Sequence, residues 1–434
     1  MTDSYPQFVD LSQLRVGMFV YLDIGWMEHP FPVNSFSITS PEQISTIRSL
    51  GLERIRYSPE KSTAESQADT AQAIEAAAAA AKPVSPAVLV EVESPKAAES
   101  RKRRELLASQ QASLMACEKQ FSNATQAFKL VTESVHAQPQ VARVHAENLI
   151  QSFLQEILTE DEAAIRLLSE KAGEKTSLHS INVTVISLLL GKAMQLSKAE
   201  MLELGIGGLL HDIGKMELPD RLRWLDEHFS FAERQLYQAH VPHGVTLGRK
   251  MGLSAHAMLL IGQHHEHVDG SGYPSQIRAE KMSALSKIVA LVNRYDNLCN
   301  PGNPASAITP HEALSQIFTQ FKAQFHVPTL TAFIRMMGIY PPGSVVQLTD
   351  DRYAMVVSVN SARPIKPRVL IHNPEVPRDD ALVINLEYEA DLGIHRSLKP
   401  IQLPKAAYDY LSPRKRLCYF FERSREPAPS GDMP

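Results

Sequence analysis

Hydrophobic positions recur at helical spacing through the middle of the chain, between about residues 105 and 338. Ser197 followed by Glu200 is a capping box that begins one helix, and Ser230 with Glu233 begins another in the same way. The first of these helices carries an apolar surface made by Met201, Leu204, Ile206, Leu209 and Leu210. This pattern predicts a mainly α fold.

The two ends of the chain alternate apolar and polar positions, which is typical of strands. Residues 8–60 are predicted to form a small N-terminal α+β domain, with strands at 18–22, 35–38 and 54–57 and a helix that begins at Pro41 and ends at Gly51. Residues 341–422 are predicted to form a small C-terminal β-domain, with strands at 345–348, 353–359, 368–372 and 382–388. Asp350-Asp351-Arg352 is expected to turn the first of these strands into the second.

Three segments lie between these ends. Residues 61–100 are rich in Ala, Ser, Glu, Gln and Pro, so they are predicted to be a low-complexity linker. Residues 101–172 are predicted to be a helical connector that leads into a helical domain at 173–338, and its helices are candidates for pairing two protomers in a homodimer.

Composition and charge narrow the classes of partner. The 434 residues carry a net charge of −4, which gives no general attraction to a nucleic acid polymer or an anionic membrane. Cys117, Cys299 and Cys418 form no CxxC pair, which fits a reducing cytoplasm. Because there is no signal-peptide pattern and no apolar run long enough to cross a bilayer, we expect a soluble cytoplasmic protein without a membrane span.

The candidate chemistry is concentrated where the helix after Ser197 ends. His211 and Asp212 follow Leu210 directly, and Gly214 and Lys215 come next. A charged pair at the buried end of a helix needs a partner, because an isolated buried charge costs several kcal/mol or shifts its pKa until it is neutral. A divalent metal is one such partner, and Lys215 is placed to hold an anion beside it. Gly214 is expected to allow a sharp turn with positive φ.

Further histidines stand at the ends of other predicted helices. They are His179, His240, His264 and His265. A single His-Asp pair would be an ordinary hydrogen-bonded helix end, but five histidines and one aspartate together favour a metal site. Imidazole suits Fe, Mn, Ni or Zn, and a carboxylate can bridge two such ions.

These motifs resemble those of the HD-GYP subfamily of HD-domain phosphohydrolases. The resemblance covers residues 173–338 and is carried by His179, by His211 to Lys215, by His240, and by His264-His265-Glu266 with Asp269-Gly270-Ser271-Gly272-Tyr273-Pro274. It implies an all-helical bundle with two or three metals that hydrolyses the bacterial second messenger cyclic di-GMP to linear pGpG or GMP. Residues 8–60 resemble the domain that precedes this bundle in one branch of the family.

The resemblance also implies roles for single residues. Asp212 would bridge two divalent ions, and a metal-bridging hydroxide would attack the phosphodiester. The first ion would be held by His179, His211, Asp212 and Asn293, and the second by Asp212, His240, His264 and His265. Lys215 would contact the phosphate, and Gly272, Tyr273 and Lys287 would complete the substrate site. Glu266 and Asp269 would orient the ligands and the loop.

Three departures from the family pattern qualify this expectation. Asn293 stands where relatives usually carry a metal-binding aspartate, and Asn300-Pro301-Gly302-Asn303-Pro304 replaces an Arg-Pro-Tyr-Arg type segment. Lys175 replaces a glutamate of three-metal members, which favours two metals. Two alternatives therefore stay open. One is a non-catalytic cyclic di-GMP receptor or interaction module that binds a partner protein through the Gly-Tyr-Pro loop, and the other is a hydrolase of a different phosphate ester.

Overall fold

A computed structural model describes residues 7–23, 31, 34–48, 50, 52, 54–62, 95–159, 163–169, 175–225, 228–360 and 365–423 of the chain. The chain divides into two compact units, Met1–Glu93 and Ser94–Pro434.

The first unit is a four-stranded antiparallel sheet with one helix. Its elements are β1 (Gln7–Asp10), β2 (Phe19–Tyr21), β3 (Ser35–Ser37), α1 (Pro41–Arg48) and β4 (Arg54–Ser58). The strand order is β1-β4-β2-β3, and Ile47 of α1 packs with Val20 and Ile55 in a small apolar core. The small α+β prediction is therefore confirmed, although the sequence pattern missed β1. The predicted helix stop at Gly51 lies outside the described residues.

The second unit is built mainly from helices. They are α2 (Pro95–Ser134), α3 (Pro139–Thr159), α4 (Lys175–Ala193), α5 (Lys198–Leu210), α6 (Phe231–Gln238), α7 (His240–Met251), α8 (Ala255–Gln263), α9 (Ala284–Cys299), α10 (Pro310–Thr319), α11 (Val327–Met337) and α12 (Lys405–Leu411). The predicted capping boxes at Ser197 and Ser230 are both formed, and Thr309 forms a third with Glu312. The mainly α prediction is confirmed.

Helix α4 lies at the centre of this unit. Every residue from 177 to 191 is buried, as is expected of a helix that is surrounded by protein on all sides. It contacts α2, α5, α9 and α11, and also a strand of the C-terminal sheet. The candidate site residue His179 therefore belongs to a helix that is enclosed by protein along most of its length.

The strands of the second unit form one seven-stranded antiparallel sheet. They are β5 (Ala163–Leu167), β6 (Val345–Leu348), β7 (Tyr353–Asn360), β8 (Arg368–Ile371), β9 (Val383–Asn385), β10 (Ile394–Leu398) and β11 (Tyr419–Arg423). The order is β10-β6-β7-β5-β11, and β8 joins β7 to β9. The four predicted strands and the turn at Asp350 to Arg352 are present, so the strand-rich C-terminal part is confirmed.

Strand β5 corrects one expectation, because residues 163–167 were predicted to continue a helical connector. They pair instead with β7 on one side and β11 on the other. Five residues are too few to form a stable helix alone, and the paired edges of two distant strands satisfy their backbone groups. The connector and the C-terminal region therefore share a sheet.

The sheet and the helices also share one hydrophobic core. Phe420 of β11 is fully buried, with ring centroids 6.2 Å from Phe121 of α2 and 5.6 Å from Phe153 of α3. Within the part of the chain that the structure describes, no helix has both the length and the apolar character needed to cross a membrane.

Replacing Phe420 by alanine should lower the free energy of unfolding of the whole 94–434 unit by about 3–5 kcal/mol, because it removes buried aromatic contacts and leaves a cavity. Urea denaturation followed by the helical circular dichroism signal measures this. Phe231→Ala is the control, since Phe231 is 78% exposed and its loss should have a small effect. A helical transition unchanged by Phe420→Ala would mean that the C-terminal strands unfold separately from the bundle.

Candidate metal centre

The carboxylate of Asp212 lies between four imidazoles, and each of its oxygens faces two of them. Oδ2 is 3.4 Å from Nε2 of His179 and 3.4 Å from Nε2 of His211. Oδ1 is 3.4 Å from Nε2 of His240 and 3.5 Å from Nε2 of His264. The sequence-predicted residues are thus brought together as two pairs of histidines around one shared aspartate.

Three of the histidines are oriented by backbone carbonyls near the ends of helices. Nδ1 of His211, His240 and His264 lies 2.6–2.7 Å from the backbone carbonyl three residues earlier, which belongs to Gly208, Tyr237 and Ile261, respectively. A carbonyl can only accept a hydrogen bond, so each Nδ1 carries the proton. Each Nε2 is therefore a bare lone pair directed at Asp212.

His179 is oriented differently. It lies in the second turn of α4 rather than at the helix start that the sequence indicated, and its Nδ1 is 2.6 Å from Oδ2 of Asp296 on α9. A carboxylate that accepts from Nδ1 fixes the tautomer of a metal-binding histidine and makes Nε2 more basic.

The arrangement fits divalent cations. Nε2 of His179 is 3.1 Å from Nε2 of His211, and Nε2 of His240 is 3.2 Å from Nε2 of His264, so two pairs of bare lone pairs face each other. Within the described residues, Oδ1 of Asp212 and Nε2 of His265 are buried without a hydrogen-bond partner. Cations would satisfy all of these atoms. The candidate ligand groups are Asp212 with His240, His264 and His265, and Asp212 with His179 and His211.

The protonation states also suit metal binding, which requires neutral imidazoles and ionised carboxylates. Burial lowers the pKa of His211 to about 4 and that of His240 to about 3, and it lowers the pKa of His265 well below its usual value. Burial alone would raise the pKa of Asp212, but the neighbouring charge of Lys215 outweighs it and holds that pKa well below its usual value. All four groups are ready to bind a cation at neutral pH.

Lys215 and Gly214 follow the central pair in a short 3-10 helix. The Lys215 ammonium is 2.6 Å from Oδ2 of Asp212 and 5.3 Å from the ring centre of Tyr237. Burial would lower the pKa of Lys215, but the Asp212 charge raises it. Gly214 does not have the predicted positive φ. Its role is a close approach, since an added Cβ would lie 2.0 Å from the carbonyl oxygen of His240.

A cavity of about 220 Å³ opens beside His264 and His265, and its remaining lining includes Lys215, Trp224, Tyr273, Asn293, Arg294 and Asn297. Asn293 is buried, and its Oδ1 accepts a hydrogen bond of 2.7 Å from Nδ2 of Asn297. Lys287 does not line this cavity. It lies six residues before Asn293, about 240° around the helix, and its charge faces His326.

The Gly-Tyr-Pro loop packs against the metal residues. Tyr273 stacks on His265 with ring centroids 4.4 Å apart. Gly272 does not line the cavity where the sequence placed it. It permits a close approach of two backbone segments instead, because an added Cβ would lie 2.4–2.5 Å from the backbone of His265, Glu266 and His267. Glu266 holds the loop by accepting from the backbone N–H groups of Ser275 at 2.6 Å and Ile277 at 3.1 Å.

Sequence reasoning missed several residues of the site. Trp224, Tyr237 and Arg294 line the cavity, and Asn182 donates to Asp296 at 2.8 Å. The position of Asn182 was a signal, because it lies three residues from the candidate ligand His179 on α4 and the helix brings it to the same face. Tyr237 also lies three residues from a candidate ligand, His240, but the two belong to different helices. Trp224 stands in a loop, where spacing carries no such information.

The chain is similar to proteins of known families. Residues 153–325 match the HD domain family, and residues 7–146 match a domain of unknown function, DUF3391. A cyclic di-GMP phosphodiesterase of Pseudomonas aeruginosa is 26% identical over 368 residues, which span 84% of each chain. The cyclic di-GMP phosphodiesterase PdeB of Borreliella burgdorferi is 23% identical over 46% of this chain and 53% of its own length.

Among solved structures, an HDG"Y"P protein from Bdellovibrio bacteriovorus aligns with a TM-score of 0.40 and 16% identity, over 76% of this chain and 98% of that one. The family matches, together with the motifs around the metal centre, confirm the resemblance seen in the sequence. Residues 153–325 thus carry an HD domain, and a region of the DUF3391 type precedes it at residues 7–146.

Proposed function

We propose that the chain is a metal-dependent phosphodiesterase that hydrolyses cyclic di-GMP to linear pGpG or to GMP in bacterial second-messenger signalling. The observation that carries this proposal is the Asp212 carboxylate, whose two oxygens each face two bare imidazole nitrogens beside an open cavity. The names of the Pseudomonas and Borreliella relatives support the choice of substrate.

The donor atoms divide into two metal positions. His179, His211 and Asp212 would hold one ion, and Asp212, His240, His264 and His265 would hold the other. We assign Asn293 to the first position because it precedes Asp296 by three residues on α9 and so lies on the face of that helix that reaches His179. The ions are Fe, Mn, Ni or Zn, which all accept this mixed imidazole and carboxylate set.

Bound divalent ions would supply a nucleophile at neutral pH and would neutralise charge on the phosphate. The chain's own residues then hold the substrate. Lys215 lies at the mouth of the centre, where its charge can stabilise a phosphate oxygen as negative charge develops. Tyr273 and Trp224 provide flat aromatic walls on which a purine base can stack.

Arg294 supplies a second cation to the cavity. Its guanidinium lies 4.5 Å from the ring centre of Phe321, and its Nε is buried without a hydrogen-bond partner among the described residues. No described carboxylate forms an ion pair with it. A phosphate, or the O6 and N7 acceptors of a guanine, would satisfy this group, so we assign Arg294 to substrate binding.

The alternative is a non-catalytic cyclic di-GMP receptor, which the neutral Asn293 favours because it removes one anionic ligand. The otherwise complete set of histidines and aspartate favours catalysis. Incubating the purified protein with cyclic di-GMP and each candidate metal, and separating the products by chromatography, distinguishes the two. Binding without linear product would support the receptor.

The remaining expectations stay predictions. We place the protein in the cytoplasm, where its three buried free cysteines would remain reduced. A homodimer through the connector helices, and a partner protein at the Gly-Tyr-Pro loop, are also proposed on the sequence alone.

Asp212→Asn should abolish turnover and lower the bound metal, because the bridging charge is lost while the side-chain shape is kept. His211→Ala should do the same for one ion. Elemental analysis of the bound metal and product separation measure both effects. Asp220→Asn is the control, since that side chain is 91% exposed. Normal metal content and turnover in Asp212→Asn would remove the basis of the site assignment.

The two cations of the cavity should differ in their kinetic effects. Lys215→Ala should lower kcat by about 10²–10³-fold, the size expected when a group that stabilises transition-state charge is removed. Arg294→Gln should mainly raise KM, by roughly 10–100-fold if it loses a charge-assisted hydrogen bond of about 1.5–3 kcal/mol. The exposed Arg335 provides the control Arg335→Gln. Wild-type KM in Arg294→Gln would show that its guanidinium does not reach the substrate.

Asn293→Asp should tighten binding of the first metal by roughly 10-fold or more, because it adds a negative charge to the ligand set. The hydrogen bond from Asn297 to the 293 side chain is retained, since an aspartate oxygen accepts it equally well. Turnover should rise most at limiting metal. Metal titration of wild type, Asn293→Asp and the loop control Asn303→Asp tests this, and equal or weaker affinity in Asn293→Asp would exclude position 293 as a ligand.

A further inference from the structure

Two buried asparagines connect the metal centre to the backbone of the C-terminal strand. Nδ2 of Asn182 donates to Oδ1 of Asp296 at 2.8 Å and to the carbonyl of Leu417 at 2.7 Å. Nδ2 of Asn300 donates to the same two acceptors at 2.9 Å and 3.0 Å. Both amides therefore bridge the carboxylate that holds His179 and a backbone carbonyl just before β11.

The same asparagines also accept hydrogen bonds from this backbone. Oδ1 of Asn300 accepts from the N–H of Leu417 at 2.8 Å, and Oδ1 of Asn182 accepts from the N–H of Tyr419 at 2.9 Å. Both donor hydrogens and the acceptor oxygen of each amide are thus in use. All of these groups are buried, so no water competes for them.

The carboxylate of Asp296 is fixed as a result. Its Oδ1 receives both amides, and its Oδ2 remains for Nδ1 of His179 at 2.6 Å. Asp296 lies on α9 and His179 on α4, so neither helix alone determines where the carboxylate points. The backbone of residues 417–419 fixes the orientation of the two amides. The amides fix the orientation of the Asp296 carboxylate, and the carboxylate fixes that of the His179 imidazole.

We propose that Asn182 and Asn300 are positioning residues through which the C-terminal strand completes the metal position of His179 and His211. The other position does not depend on this strand, because His240 and His264 are oriented by carbonyls near the ends of α6 and α8. The inference rests on the metal centre of the proposed function and goes beyond it. It gives the C-terminal segment a defined part in metal binding.

Asn300→Ala in the full-length protein tests this proposal. After chelation, the protein is titrated with Mn²⁺ or Zn²⁺ alone and the binding events are followed by calorimetry. One of the two events should weaken by about 10–100-fold, the usual effect of losing a group that orients a metal ligand, while the other is unchanged. Asn182→Ala should show the same split. The matched control is Asn303→Ala, because among the described residues that side chain accepts a hydrogen bond only from Ala305 of its own loop.

The outcomes separate the inference from the function on which it rests. If the wild type shows two metal-binding events and Asn300→Ala shows both with unchanged affinity, the inference is overturned and the proposed function stands. A wild type that binds no metal would overturn both.

Hydrogen exchange of the wild type gives a test that does not depend on the folding of a variant. Metal loading should slow exchange of the Leu417 and Tyr419 amides, which donate to Asn300 and Asn182. The amide of His372, which donates to Tyr353 elsewhere in the sheet, should be unaffected. Equal exchange at Leu417 and Tyr419 with and without metal would contradict the proposal.

Discussion

The burial of one carboxylate between imidazoles is the constraint on which the helical unit depends. Removing a carboxylate from water costs several kcal/mol unless it is paired and hydrogen-bonded. Lys215 approaches Oδ2 of Asp212 at 2.6 Å, whereas Oδ1 is buried without a hydrogen-bond partner among the described residues. The fold therefore holds a site that only additional positive charge completes. A bound cation would offset the remaining free-energy cost of burying Asp212, so the burial favours cation binding. The proposed phosphodiesterase activity would use these bound cations.

The ends of helices explain how four imidazoles reach one point with the correct tautomer. The last carbonyls of a helix have no intrahelical partner, and His211 and His264 occupy the C-cap positions of α5 and α8, where such carbonyls are available. His179 lies inside α4, where the carbonyl groups are used by the helix itself. It therefore needs a carboxylate from another helix, which Asp296 provides. The position of each histidine in its helix decides what must orient it.

Local signals in the sequence were sufficient for much of the fold. Capping boxes, the Asp350 turn and the strands around it depend on residues that are close in the chain, and they form as predicted. The pairing of β5 with β11 joins residues about 250 positions apart, so no local sequence pattern predicts it. The metal residues were recognisable because imidazoles and a carboxylate are rare together at helix ends. Lys287 was misplaced because it shares a helix with Asn293 but not a face.

The two halves of the metal centre consequently differ in what they depend on. His240 and His264 need only the ends of α6 and α8, whereas His179 needs Asp296, two asparagines and the backbone before β11. Strand β11 in turn contacts α2 through the Cys117 thiol, which donates to the carbonyl of Phe421 at 3.6 Å, and through Ser113, which donates to Glu422 at 2.5 Å. Helix α2 begins at Pro95, directly after the first unit ends at Glu93. The half of the centre that contains His179 is therefore linked, through Asp296, the two asparagines and β11, to helix α2.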